Sequence, residues 1–201
     1  TYVSEKFPFA YDYADNDPDA SPTGEAGSHG THVAGITAGN AGEIVGIAPD
    51  AQIIVAKVAR SVQGDITDSA LLAALDDMVV LHPDVVNLSL GQLGGMDNEA
   101  DSVYATVFKS LQDVGVTVNA AAGNHHTSGY GNLSGKNLPF ASDPDSSTQC
   151  EPATYSSVVS VASVDNSLAH SAFTVGDRDI AYQRAGGADG QKMPDLSDLT
   201  G

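Results

Sequence analysis

Asp84-Val85-Val86-Asn87-Leu88-Ser89-Leu90-Gly91 is a short apolar run that opens just behind Pro83 and closes on glycine. Its composition and length read as a strand. Upstream, Leu71, Leu72, Leu75, Met78 and Val79 recur at helical spacing. Thr67 or Asp68 can cap that helix, and Pro83 stops it. Downstream the same period runs over about residues 98–114 and puts Val103, Val107, Phe108 and Leu111 on one face. Farther out lie two more strand-like runs, Gln52–Val58 and Val116–Ala121, and a third at Ser157–Ala162. Strand, helix, strand, helix, strand implies an α/β fold with a parallel sheet. In such sheets ligands gather at the carboxyl ends of the strands. The residues expected there are Ser89-Leu90-Gly91 and Ala121-Ala122-Gly123-Asn124.

The remainder of the chain bounds the function classes. With 41% apolar residues, the 201-residue chain can bury a core and is not a disordered segment. Its 26 acidic and 8 basic side chains leave a net charge of −18, which repels nucleic acid and anionic membrane surfaces. No apolar run is long enough to span a bilayer. Cys150 is the only cysteine, so no internal disulfide forms. The acidic residues are spread through loops, and no stretch has the spacing of a helix–loop–helix calcium site. No metal site is assigned, and calcium held by some of these carboxylates stays open. Residues 1–28, rich in Asp, Pro and Gly, read as loop, with Asp12 and Asp15 on its surface.

The segment richest in chemistry is Ser28-His29-Gly30-Thr31-His32-Val33-Ala34-Gly35, which opens a helix with Ser28 as its N-cap. An imidazole at that point can take a proton from a hydroxyl and return it to a leaving amine near neutral pH. His29 and His32 could instead be two metal ligands one turn apart, but no glutamate follows His29 as in a metalloprotease. Asn124 ends the small-residue run Ala120-Ala121-Ala122-Gly123; alone it reads as a turn residue.

Taken in order, these segments resemble the subtilases, the subtilisin-like serine proteases. The resemblance implies a three-layer α/β sandwich with a parallel sheet, of which this chain is a partial domain. It puts His29 in the place of the general base and Asn124 in that of the oxyanion donor. Ser89, Leu90 and Gly91 then form a wall of the substrate groove, where an extended peptide pairs with a strand edge. The family's orienting aspartate and its Gly-Thr-Ser serine segment are not found in the sequence. The resemblance thus implies that residues 1–164 are the central part of a peptidase domain, inactive alone.

Phe7-Pro8-Phe9-Ala10-Tyr11-Asp12-Tyr13-Ala14-Asp15-Asn16 is similar to the lactocepin-type cell-envelope proteinases. In these a protease-associated domain is inserted before the serine segment, so residues 165–201 are expected to lead into it. The implied parent is bacterial, extracellular or attached to the cell wall, and acts on proteins or peptides. The short connection Gly39–Gly46 does not carry the calcium loop of many subtilases. A degenerate protease that binds peptides without cutting them is the alternative. A piece of parallel sheet with bare strand edges is also expected to self-associate.

Overall fold

The computed structural model describes residues 3–22, 28–61, 64–92, 102–123, 149–162, 173–175 and 178–180. The chain divides into two compact units, Thr1–Val86 with Thr106–Thr117, and Asn87–Ala105 with Val118–Gly201.

The first unit begins with β1 (Phe9–Asp12), a strand inside the stretch expected to be loop. It pairs in parallel with β4 (Ile54–Lys57), in the register Phe9↔Ile54, Ala10↔Val55, Tyr11↔Ala56 and Asp12↔Lys57. Four residues that follow Pro8 and end on Asp12 carry too little local signal for a strand; the distant partner makes it one. Between them come α1 (Ser28–Ala38) and a small antiparallel pair, β2 (Asn40–Ala41) with β3 (Ile44–Val45). Gly42, at φ +58°, makes the turn of that pair.

Helix α2 (Asp68–Leu81) starts where the sequence places it: Thr67 accepts a hydrogen bond from Ala70 N. It ends on His82, which is left-handed (φ 53°) and donates its backbone N–H to Met78 O, just before Pro83. Its inner face buries Ala70, Leu71, Ala74, Leu75 and Met78, with Leu72 and Val79 half-buried. Helix α3 (Val103–Asp113) buries Phe108 and Leu111 completely. Val103, expected on that face, is the first residue of the helix and is exposed. The ends of α2 and α3 are tied by His82 Nε2, which donates to Val114 O (2.6 Å).

A three-stranded sheet has the order β5–β6–β7, from β5 (Val85–Leu88), β6 (Thr117–Ala121) and β7 (Val159–Val161), and most of its residues belong to the second unit. Strand β6 alternates inward Val118 and Ala120 with more accessible Thr117, Asn119 and Ala121, as a strand with one buried face must. It runs parallel to β7, with Ala120 opposite Ser160. Leu88, Cys150, Ala153, Tyr155 and Val158 complete this core. An antiparallel pair, β8 (Phe173–Val175) with β9 (Arg178–Ile180), lies in the polar tail.

Leu75→Ala is expected to cost about 2–5 kcal/mol by opening a cavity, and Thr67→Ala about 1 kcal/mol by removing the cap. Val80→Ala, at an exposed helix position, should stay within about 0.5 kcal/mol. Urea unfolding midpoints separate the three.

Candidate active site

His29 is the second residue of α1, in the exposed first turn of the helix. The far end of α1 is held by backbone bonds: Gly46 N to Gly39 O (2.8 Å), Ile47 N to Ile36 O (3.0 Å) and Ala48 N to Thr37 O (2.8 Å). This approach needs glycine, since a Cβ on Gly46 would lie 2.6 Å from Gly39 N. The chain after β3 thus satisfies carbonyls at the helix end that would otherwise lack partners. A groove of about 830 Å³ runs beside α1, lined among others by Pro22, His32, Ile36, Ile44 and Val45. His32 belongs to this groove; His29 is not among its lining residues.

At the carboxyl ends of β1 and β4 the structure corrects the reading of Asp12 as a surface loop residue. Asp12 is only 1% exposed. Its Oδ1 accepts from Ala14 N and Asp15 N (both 3.0 Å), and its Oδ2 pairs with Lys57 Nζ. Lys57 also donates to Ser61 Oγ (2.8 Å), and Ser61 in turn donates to Asp15 Oδ2 through both its backbone and its hydroxyl. Burial pulls the Lys57 pKa down, but the bonds and charges of Asp12 and Asp15 outweigh it and hold the ammonium above its ordinary value. The Ser61 hydrogen bonds hold the Asp15 carboxyl below the usual range. An ammonium therefore sits where the strand-end carboxylate of Asp12 and the loop carboxylate of Asp15 converge. Among the described residues no group of three or more His, Cys, Asp or Glu side chains is gathered to hold a metal.

In the second unit, Ser89 and Leu90 are half-buried and Gly91 is exposed, directly after β5. Asn124 lies outside the described residues; Gly123 before it is exposed at φ +113°, a backbone that only glycine adopts without strain. Both glycines close on one side chain that the sequence reading passed over. A Cβ on Gly123 would lie 2.4 Å from Cys150 Sγ, and one on Gly91 would lie 3.1 Å from Cys150 Cβ and 2.7 Å from Glu151 O. Cys150 N donates to Ala122 O (2.8 Å), and Gln92 and Glu151 exchange both backbone bonds (2.9 Å each). The Glu151–Pro152 peptide bond is cis. Cys150 thus joins the segment holding Ser89–Gly91 to the one leading to Asn124. A glycine at the end of each strand was the available signal, since glycines mark close approach. Burial raises the Cys150 thiol pKa, which favours the neutral thiol that packs between the two glycines.

A parallel-stranded α/β chain with a histidine opening a small-residue helix defines a class, and comparison with known proteins identifies it. Residues 2–199 match the model of the Subtilase family. The chain belongs to that family of serine peptidases and has its α/β subtilisin-like fold in part. The PI-type proteinase of Lactococcus lactis subsp. cremoris is 32% identical over 173 residues, which is 82% of this chain and 9% of that protein. The minor extracellular protease Vpr of Bacillus subtilis (strain 168) is 36% identical over 126 residues, 60% of this chain and 15% of that protein. Among solved structures, the S218A mutant of the protease domain of PatA shares the fold, with a TM-score of 0.58 at 23% identity; the match covers 81% of this chain and 53% of that one. The chain thus spans less than a sixth of the length of these two relatives. No helix among the described residues is long and apolar enough to cross a membrane.

Asp12→Ala is expected to destabilise the first unit by roughly 1–3 kcal/mol, since it strips the half-buried Lys57 ammonium of its main partner. Because the Lys57 pKa is raised on folding, this stabilisation is complete below the ordinary lysine value of 10.5 and fades as pH climbs through the higher folded value. The gap between wild type and Asp12→Ala in urea unfolding should therefore narrow above that value. At the other unit, Gly123→Ala should cost on the order of 1–3 kcal/mol from backbone strain and overpacking. Adding Cys150→Gly should recover the packing part and leave the strain, which a double-mutant cycle reads directly.

Proposed function

We propose that residues 1–164 are the central stretch of the peptidase domain of a longer bacterial serine endopeptidase, and that residues 165–201 lead into an inserted protease-associated domain. Parts of the parent outside this chain supply the nucleophilic serine and the orienting aspartate. His29 takes the proton of the serine hydroxyl as the oxygen attacks the peptide carbonyl, then gives it to the leaving amine. Asn124 donates its side-chain N–H to the oxyanion of the tetrahedral intermediate. Ser89, Leu90 and Gly91 bind the substrate backbone. In this reading the piece alone does not cut.

The carrying observation is the Ser28–Gly35 motif, folded as the start of a helix with His29 in its exposed first turn, in a chain of the Subtilase family. The state of Asp12 supports an outside source for the aspartate. Both its oxygens are taken up, by two backbone amides and by Lys57. The similarity to a proteinase of Lactococcus and to an extracellular protease of Bacillus supports an exported or wall-attached parent. Exposed Ile36, Ile44, Val45 and Ile47 beside α1 support self-association of the isolated piece.

The full-length parent is expected to degrade a casein-type substrate. His29→Ala should abolish cutting, and Asn124→Leu should slow it by a factor on the order of 100–1,000, the scale known for the corresponding donor of subtilisin. A parent that cuts equally well without His29 sinks the role assignments. A parent that never cuts but still binds peptides is a binding module.

A further inference from the structure

Glu151 has no role in the reading above, yet it stands at the end of the proposed substrate wall. Its backbone forms a two-way bridge with Gln92, the residue after Ser89-Leu90-Gly91. Its carbonyl oxygen lies against Gly91. Two neutral groups hold its half-buried carboxylate: the Tyr155 hydroxyl donates to Oε1 (2.7 Å) and Gln92 Nε2 to Oε2 (2.8 Å). Tyr155 is itself buried and lies 2.9 Å from Ser102 Oγ, so the arm that aims the carboxylate is anchored in the core.

A carboxylate has about four acceptor positions, and these two donors use half of them without supplying a positive charge. The ion pairs among the described residues engage Lys57, Arg60 and Lys109, and none involves Glu151. A negative charge is thus held in a fixed position, partly out of water, beside an exposed strand end, where a charge-assisted hydrogen bond is strong. The surrounding chain, at −18, adds a field of the same sign.

We propose that Glu151 is a specificity-determining residue that selects peptides carrying a lysine or arginine side chain at the position reaching past Gly91. The cation completes the carboxylate's hydrogen bonding, and an acidic side chain there is repelled. Gln92 and Tyr155 are positioning residues, since they act through the Glu151 carboxylate.

This inference rests on the peptidase reading, and two measurements on the full-length parent keep the two apart. In the first, matched peptides that differ by one Lys, Leu or Glu, scanned along the chain, are compared by kcat/KM. At one position Lys should exceed Leu by roughly tenfold, the scale of one charge-assisted hydrogen bond, and Glu should fall below both. Glu151→Gln keeps the shape and should bring the Lys-to-Leu ratio close to one, and added salt should lower the wild-type ratio. In the second, fluorescence anisotropy reads binding of the same peptides to the His29→Ala parent, with and without Glu151→Gln. A Lys preference in binding that Glu151→Gln removes upholds the charge selection even if the parent never cuts, in which case only the peptidase reading falls. A Lys-to-Leu ratio near one in wild type, or one that Glu151→Gln leaves unchanged, overturns the proposal whether or not the parent cuts.

Discussion

The first unit depends on the parallel pairing of Phe9–Asp12 with Ile54–Lys57. Parallel neighbours cannot be joined by a tight turn, so the chain must leave β1, cross over and return. Helix α1, with His29, lies in that crossover. The pair Asp12↔Lys57 ends the register and closes the crossover with an ion pair between a buried carboxylate and a half-buried ammonium. Taking two charges from water is expensive, so such a pair adds little net stability although the loss of one partner is costly. A slip of one residue along β4 would leave both charges without their partner. The pair thus selects one register of two very short strands, and Ser61 and Asp15 extend that selection into the loops on either side.

A different constraint governs the second unit, where space replaces charge. Gly91 and Gly123 have no side chains because Cys150 occupies the room those side chains would need. The cysteine is small enough to fit between two strand ends and apolar enough to be buried there. Its neighbour Glu151 turns to the other side, toward Tyr155 and Gln92. One extended dipeptide therefore contributes a packed wedge on one side and an anchored charge on the other, the alternation that any strand-like segment imposes.

Much of the fold was legible because its signals are local. Thr67, the spacing of Leu71, Leu75 and Met78, and Pro83 define α2 within one window of sequence, and the structure follows them. The alternation of Val118 and Ala120 marks β6 in the same way. What escaped is set by distant partners. Asp12 looks like any loop carboxylate until Lys57, 45 residues on, comes beside it. Cys150 and Glu151 gain their meaning only from Gly91, Gln92 and Gly123. Of the residues the sequence marks for chemistry, His29 sits at an exposed helix start and Ser89–Gly91 at a strand end, as the α/β pattern requires, while Asn124 lies outside the described residues.

Being the only thiol, Cys150 also gives the chain a clock. It is 6% exposed and wedged between strand ends, so a thiol reagent reaches it only when those ends part. With reagent concentrated enough to label faster than the edge recloses, the labelling rate counts openings of this sheet edge, much as amide exchange does but at a single atom. Peptide bound across Gly91 should slow the clock, and the slowing would report occupancy of the groove with no bond being cut.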